Sequence, residues 1–197
     1  PELMRGATEQ SEALRSSDLL PGVYEGGFVL WECTRDLLEV LHSLLERSEL
    51  ELATAAVLEA GCGAGLPGVL ALQRGCHSLS LHDFNEEVLL WNTLPNVWLN
   101  GQWERVERGA VSLFSGDWAT VSELLSSERA ALSLAAEGYD LILTADSIYS
   151  TDAAPRLYQL IVDQLRRPSG VALVAAKSYY FGVGGSVAQF RDLVERG

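Results

Sequence analysis

The sequence predicts an α/β fold, in which a doubly wound, mostly parallel sheet carries helices on both faces. Three observations predict it. The chain has 197 residues, of which 48% are hydrophobic, enough for the core of one domain. From residue 55 onward, short apolar runs alternate with segments of helical periodicity. The first apolar run ends in a glycine-rich turn that opens a helix, a pattern typical of βαβ units.

The N-terminal region differs from the rest of the chain. Residues 1–20 are polar, mixed in charge and without periodicity, so we predict an arm or linker there and a single core domain over residues 21–197. The glycines of Pro21–Gly27 interrupt regular structure. Trp31–Arg47 then repeats leucines at helical spacing, which predicts an amphipathic helix packed against the sheet.

The apolar runs predict five strands, each followed by a helix. Pro95 is expected to split the second of these helices, and Asp152 is expected to cap the fourth. The predicted strands are Ala55–Leu58, Leu79–His82, Ala110–Phe114, Tyr139–Thr144 and Val171–Ala176. The predicted helices are Leu66–Arg74, Glu86–Leu99, Val121–Ala131, Pro155–Arg166 and Ser186–Arg196.

The net charge of −13 restricts the partners that we expect. Nucleic-acid affinity depends on lysine and arginine, so we expect a basic protein as partner and no direct nucleic-acid binding. No apolar stretch is long enough for a membrane span, and no secretory signal is visible, which predicts a soluble intracellular protein. The three cysteines have no paired spacing, so neither a disulfide framework nor a metal site is predicted.

The glycine-rich turn predicts a cofactor site. Gly63, Gly65 and Gly68 satisfy the dinucleotide spacing, so the glycines alone allow either NAD or S-adenosylmethionine. Glu59 precedes the turn at the end of a strand, where a carboxylate would repel a pyrophosphate but could engage the zwitterionic amino-acid part of S-adenosylmethionine. Glu59 therefore favours S-adenosylmethionine. The alternative is a tight turn that binds no ligand.

Polar residues also follow the second and third strands. Asp83 lies about twenty residues beyond the glycine turn, where an acid commonly binds ribose hydroxyls, although it could instead cap the next helix. His82 is interpreted as structural rather than catalytic. Ser115–Trp118 could bond and cover an adenine base, or could be a turn with a packed tryptophan.

The fourth and fifth strands bring candidate substrate residues to the same edge of the sheet. Asp146 and Tyr149 follow the fourth strand, where a nucleophile would meet the cofactor. Lys177 and the aromatic residues 179–181 follow the fifth strand, and either a substrate pocket or core packing would explain them. A stripe of asparagines in the second crossover is interpreted as a solvated helix face; its members are Asn92, Asn96 and Asn100.

Together these residues resemble the seven-strand S-adenosylmethionine-dependent methyltransferases, in which Asp146–Tyr149 matches a D-x-x-Y motif. The resemblance is strongest to the histidine protein methyltransferases that modify a large-subunit ribosomal protein, and it runs from about Ser17 to the C-terminus. The segments that carry it include Gly22–Gly27, Trp31–Thr34, Thr93–Val97, Phe114–Trp118, Tyr139–Thr144 and Tyr180–Gly185.

The resemblance implies a Rossmann-like fold that, in the family, ends with two further strands absent from this chain, which would leave the fifth strand as an exposed edge. It also implies the site. Asp146 and Tyr149 would face the substrate. The cofactor would contact Leu30, Trp31, Glu32, Cys33, Thr34, Glu59, Gly61, Gly63, His82, Asp83, Phe84, Gly116, Asp117, Trp118 and Ala145.

The resulting functional hypothesis is methyl transfer to a histidine of a ribosomal protein. We expect the protein in the cytoplasm and nucleus, where the nucleolus is one candidate location. Asp146 would orient the substrate ring by accepting a hydrogen bond from its second nitrogen. Three alternatives remain: a protein-lysine methyltransferase, a cofactor-binding module without activity, and a nicotinamide-dependent oxidoreductase. Glu59 and the lack of a recognisable catalytic pair oppose the last of these.

Overall fold

The computed structural model describes residues 19–20, 22–131 and 138–197. The strands are β1 (Ala56–Ala60), β2 (Ser78–Asp83), β3 (Val111–Ser115), β4 (Leu141–Ala145) and β5 (Val171–Ala175). The α-helices are α1 (Glu32–Glu46), α2 (Leu66–Gln73), α3 (Glu86–Val88), α4 (Leu94–Leu99), α5 (Trp103–Glu107), α6 (Trp118–Ala131), α7 (Ala153–Gln164) and α8 (Val187–Arg196). A π-helical turn, Leu89–Thr93, joins α3 to α4.

The strands form one parallel sheet in the order β3-β2-β1-β4-β5. This arrangement confirms the predicted fold class, and the five predicted strands are observed within two residues of their predicted ends. The chain runs outward from β1 to β3 and then returns to place β4 on the other side of β1. In such sheets, ligands bind at the carboxyl ends of the strands where this reversal occurs.

Helices cover both faces of the sheet, and β1, β2 and β4 are therefore buried on both sides. Successive strand residues point to opposite faces. Val57 accordingly packs with Leu37 and Leu41 of α1 in one core cluster. Its neighbour Leu58 packs with Val121 of α6 and Leu157 of α7 in the other. The helix predicted from the leucines of Trp31–Arg47 is therefore confirmed as a cover of the sheet.

The helical segment after β2 is interrupted near Pro95, as expected from the sequence. The π-helical turn occupies the residues before Pro95, which has no backbone N–H to donate and lies in the first turn of α4. Such turns place side chains that a regular α-helix would direct elsewhere. In this protein the turn contains Asn92 and Thr93, which both bond to backbone carbonyls beside the cavity described below.

Three details differ from the sequence prediction. The short helix α5 has no counterpart in it. Asp152 precedes α7 but makes no capping bond; the Oγ atom of Ser150 accepts the bond from the Ala153 N–H instead, at 3.0 Å. The asparagine stripe is not merely solvated, as the contacts of Asn92 and Asn96 below show. The predicted arm over residues 1–20 lies outside the described residues except for Leu19 and Leu20. Among the described helices, none has the length and apolar character of a membrane span.

Candidate cofactor and substrate site

A cavity of about 740 Å³, partly open to solvent, lies at the carboxyl ends of β1, β2, β3 and β4. The five segments that the sequence singled out for a cofactor all contribute to its wall. The lining residues are Glu25, Gly27, Val29, Leu30, Trp31, Thr34, Gly61, Cys62, Gly63, Ala64, His82, Asp83, Phe84, Gly116, Asp117, Trp118, Ala145, Asp146, Ser147, Tyr149 and Arg156.

Residues 22–31, which we call the strap, run across this cavity before α1 begins. Two asparagines from the segment after β2 hold the strap in place. Asn85 accepts a bond from the Glu25 N–H at 3.1 Å and donates one to the Val23 carbonyl at 2.9 Å. Asn92 donates to the Gly27 carbonyl at 2.9 Å. The strap is therefore a built wall of the cavity.

The glycine-rich turn after β1 forms the floor of the cavity. Gly63 has a φ of +49°, and a Cβ there would lie 3.1 Å from the Gly27 carbonyl oxygen of the strap. Its N–H donates to Oδ2 of Asp83 at 2.9 Å, and its carbonyl accepts from the Thr93 hydroxyl at 2.6 Å. Asn96 donates to the carbonyl of Ala64 at 3.0 Å. The turn is thus held from three sides.

Glu59 does not line the cavity, contrary to its predicted contact with the cofactor. Its side chain points from β1 toward the helix that follows the turn, is 3% exposed, and accepts a bond from the Gly68 N–H at 2.7 Å. Burial raises the pKa of Glu59 to about 8. A Cβ on Gly68 would lie 2.7 Å from this carboxyl, so the third glycine of the motif serves packing.

His82 and Asp83 both line the cavity at the end of β2. The Nε2 atom of His82 lies 2.9 Å from the Gly116 carbonyl and donates to it, while Nδ1 accepts a 3.4 Å bond from the Gly61 N–H. Burial lowers the pKa of His82 to about 4. His82 is therefore neutral and links the loops after β1 and β3 by hydrogen bonds. This agrees with its interpretation as a structural residue. Burial also raises the pKa of Asp83.

The segment after β3 closes one end of the cavity with Gly116, Asp117 and Trp118. Asp117 accepts a bond from the Ala119 N–H at 2.8 Å at the start of α6 and pairs with Arg156 at 2.5 Å. Trp118 packs beside the ring of His82. Within the described part of the chain, the buried Nε1 of Trp118 has no hydrogen-bond partner. A buried donor without a partner is unusual, and it indicates a place for a ligand acceptor.

The residues before and within α1 divide into two groups. Leu30, Trp31 and Thr34, for which the resemblance implied contact with the cofactor, line the cavity. Glu32 does not; it is exposed and pairs with Lys177 at 3.0 Å. Cys33 is buried outside the lining, and its backbone N–H donates to Oδ2 of Asp146 at 2.9 Å.

Asp146 and Tyr149 line the cavity after β4, and they bond to different segments. Asp146 has a φ of +54°, unusual for a residue other than glycine, and its Oδ1 accepts a bond from the Tyr180 hydroxyl at 2.7 Å. The Tyr149 hydroxyl donates to Oε2 of Glu25. Burial, reinforced by this carboxylate, raises the pKa of Tyr149, so its hydroxyl stays protonated.

A second cavity of about 910 Å³, also partly open to solvent, adjoins the first. The two share Glu25, Trp31, Asp146 and Tyr149 as a common wall. The rest of the second cavity is formed by Leu19, Lys177, Tyr179, Tyr180, Phe181 and Val183. Both interpretations of the aromatic segment after β5 are observed: residues 179–181 line this cavity, and Tyr180 also packs against the core cluster that contains Leu58.

Sequence reasoning missed two charged residues of the site, Glu25 and Arg156. Glu25 lies in the strap, where no periodicity marks a function, and only the glycines around it signalled an irregular segment. Arg156 follows Pro155 at the start of a predicted helix and resembles any surface charge. Both residues enter the site through folding of distant segments.

The chain belongs to the lysine methyltransferase family, whose sequence profile matches residues 22–181. S-adenosylmethionine is the methyl donor of this class of enzyme. Curated relatives are similar over most of the chain. A histidine protein methyltransferase 1 homolog of Dictyostelium discoideum is 38% identical over 187 residues, which are 95% of this chain and 54% of the relative. Histidine protein methyltransferase 1 of Schizosaccharomyces pombe is 32% identical, with 91% of this chain and 60% of the relative covered.

The corresponding homolog of Rattus norvegicus is 37% identical over 91% of this chain and 52% of its own length. The chain thus spans about half the length of the curated relatives that it matches. Solved structures share the fold. Precorrin 8W decarboxylase of Methanobacterium thermoautotrophicum has a TM-score of 0.53 at 18% identity, over 80% of this chain and 68% of that one. Protein arginine methyltransferase 10 of Arabidopsis thaliana has a TM-score of 0.50 at 13% identity, over 74% and 36%.

The cavity fits the cofactor of this class. It lies at the carboxyl ends of the strands where the chain reverses, which is where ligands bind in such sheets. Four carboxylates and one guanidinium line it, an excess of negative charge that suits a sulfonium and an ammonium group and opposes a pyrophosphate; they are Glu25, Asp83, Asp117, Asp146 and Arg156. Among the described residues, the Nε1 atom of Trp118 finds no acceptor and is available to one on a ligand. The carboxylates of the lining, rather than Glu59, therefore disfavour a dinucleotide, because they would repel its pyrophosphate.

Proposed function

We propose that this chain transfers a methyl group from S-adenosylmethionine to a histidine side chain of a protein. The observation that carries the proposal is the common wall between the cavity at the carboxyl ends of the strands and a second cavity open to solvent. A substrate side chain in the second cavity would reach that wall from the side opposite the cofactor. The similarity of this chain to histidine protein methyltransferases supports histidine as the acceptor.

Each predicted contact has a chemical task in this proposal. Asp83 would accept from the ribose hydroxyls, and Trp118 and Phe84 would contact the base. Trp31 and Thr34 would lie along the remainder of the cofactor, with Ala145 beside the reacting end. S-adenosylmethionine, when bound, supplies a methyl group activated by a sulfonium sulfur.

The protein residues need mainly to align the acceptor and exclude water, which can contribute several kcal/mol to lowering the barrier. A neutral imidazole is nucleophilic near neutral pH because its ordinary pKa is about 6.5. As the substrate nitrogen bonds to carbon, the carbon–sulfur bond breaks, and the ring afterwards releases the proton of its other nitrogen. No strong base is required for this exchange.

The substrate that we propose is a large-subunit ribosomal protein, encountered in the cytoplasm or nucleus. Ribosomal proteins are basic, which complements a chain of net charge −13. The family description favours a second candidate, lysine as the acceptor. Calorimetry with S-adenosylhomocysteine, with NADH as control, tests the cofactor. Methyl transfer to purified ribosomal proteins, followed by mass spectrometry of the labelled residue, tests the acceptor.

Three results are informative. Labelled histidine supports the proposal, and labelled lysine replaces it with the second candidate. Binding of S-adenosylhomocysteine without transfer to any ribosomal protein contradicts the proposed substrate and favours a cofactor-binding module.

A further inference from the structure

The common wall of the two cavities contains two carboxylates, and their surroundings differ. Asp146 is 8% exposed, and both of its oxygens are engaged by the protein. Oδ2 accepts from the Cys33 N–H in the first turn of α1, and Oδ1 accepts from the Tyr180 hydroxyl. Asp146 thereby ties β4 to α1 and to the segment after β5. This structural use competes with the ring-orienting role that the sequence analysis assigned to it.

Glu25 is the second carboxylate, and it is more exposed than Asp146. Its Oε1 accepts a bond from the Gly22 N–H at 2.6 Å, and its Oε2 accepts from the Tyr149 hydroxyl. These two bonds hold the side chain in one orientation. Each oxygen of a carboxylate can accept two bonds, so both retain capacity for a further donor.

Glu25 also differs from Asp146 in location. Besides the two cavities that share the wall, Glu25 lines a third opening next to them, together with Asp117, Asp152 and Arg156. A side chain that borders all three spaces can be reached by a group entering from solvent. Asp146 borders only the first two of them.

We propose that the Glu25 carboxylate, held by Tyr149, accepts the ring N–H of the substrate histidine at the common wall. This inference rests on the proposed function and names the residue that orients its acceptor. A neutral imidazole has one N–H and one lone pair. Fixing the N–H on Glu25 selects one tautomer and leaves the lone pair of the other nitrogen free to attack the methyl group. The same carboxylate stabilises the positive ring formed by transfer and receives its proton, which then passes to solvent.

The first test needs no turnover. Ring-¹⁵N-labelled N-acetylhistidine methylamide is titrated by NMR into the full chain saturated with S-adenosylhomocysteine. A ring that donates to a carboxylate has a raised pKa, and we expect an increase of about one unit on binding. Glu25→Gln keeps the size of the side chain but removes its charge, and should abolish the increase. Glu39→Gln makes the same charge change on an exposed face of α1 and should leave the increase intact.

The second test uses transfer to the histidine peptide identified from labelled ribosomal protein. Loss of the orienting acceptor should lower kcat by about a hundredfold or more, in the range of acid–base contributions, with a smaller change in KM. Tyr149→Phe keeps the charge of Glu25 but releases its side chain, so an intermediate loss is expected. This second variant also serves if Glu25→Gln does not fold.

Equal ring pKa values in wild type and Glu25→Gln, or no binding of the probe to wild type, would overturn the inference. A ring pKa that depends on Glu25 in a protein that methylates no histidine would instead refute the proposed function and leave the contact established. The two proposals can therefore fail separately.

Discussion

The Oδ2 atom of Asp83 accepts a hydrogen bond from the backbone nitrogen of Gly63 at 2.9 Å, which joins the end of β2 to the glycine turn after β1. The same carboxylate accepts from the Asn85 N–H through Oδ1 at 3.2 Å. The Asp83 side chain thus positions the glycine turn and fixes the backbone of Asn85, which holds the strap. It also presents a carboxylate to the cavity.

Asp83→Asn should weaken binding of S-adenosylhomocysteine by about tenfold or more, since an amide cannot supply acceptors in every direction that a carboxylate does. Isothermal titration calorimetry measures this change. Asp36→Asn, on the exposed face of α1, makes the same substitution away from the cavity and should bind as wild type does. Equal affinities for both variants would show that Asp83 does not contact the cofactor.

Glu59 should make the stability of the protein depend on pH. A carboxyl whose pKa is higher in the folded than in the unfolded protein stabilises the fold most at low pH. Its contribution is complete below about pH 4.5 and is lost as the pH rises to about 8. Glu59→Gln is neutral throughout. The free energy of unfolding of wild type should therefore fall relative to the variant over this range, by at most about 5 kcal/mol.

Urea unfolding of the ligand-free protein at pH 5, 6.5 and 8 measures the effect of Glu59. A difference between wild type and Glu59→Gln that stays constant with pH would mean that the buried carboxyl does not hold its proton.

His82 should have the opposite effect. Its pKa is about 4 in the folded protein against an ordinary 6.5, so its contribution is present above about pH 6.5 and is lost as the pH falls to about 4. Wild type should lose up to about 3 kcal/mol relative to His82→Gln over that interval. Urea unfolding at pH 7 and 5 is the measurement. Because Glu59 and His82 act in opposite directions between about pH 4.5 and 6.5, only the single variants separate them.

Thr93 should contribute to stability through its hydroxyl. Thr93→Val has nearly the same shape but leaves the Gly63 carbonyl without its 2.6 Å donor, which should destabilise the fold by about 1–3 kcal/mol. Thr93→Ser retains the hydroxyl and is the matched control. If Thr93→Val unfolds at the same urea concentration as wild type, the hydrogen bond from Thr93 to the Gly63 carbonyl does not stabilise the fold.

The strands and their crossovers were predictable because their signals are local. A short apolar run and a helical repeat each depend on neighbouring residues, and the glycine turn after β1 depends on backbone conformations that favour glycine. Pro95 likewise marked the interruption of its helix, since a missing N–H has the same consequence in any context. The positions of Asp83, Trp118 and Asp146 at the site followed from the rule that ligands bind at the carboxyl ends of parallel strands.

The sequence by itself therefore determined the α/β sheet and the edge where the cavity lies. Only the tertiary structure decided which carboxylates face it. Glu59 was expected in the site but points into the core toward Gly68, because side-chain direction depends on the face of the strand. Glu25 was not expected there, and it reaches Tyr149 across 124 positions of the chain. No local pattern encodes such a contact, since it forms only when the strap crosses the folded sheet.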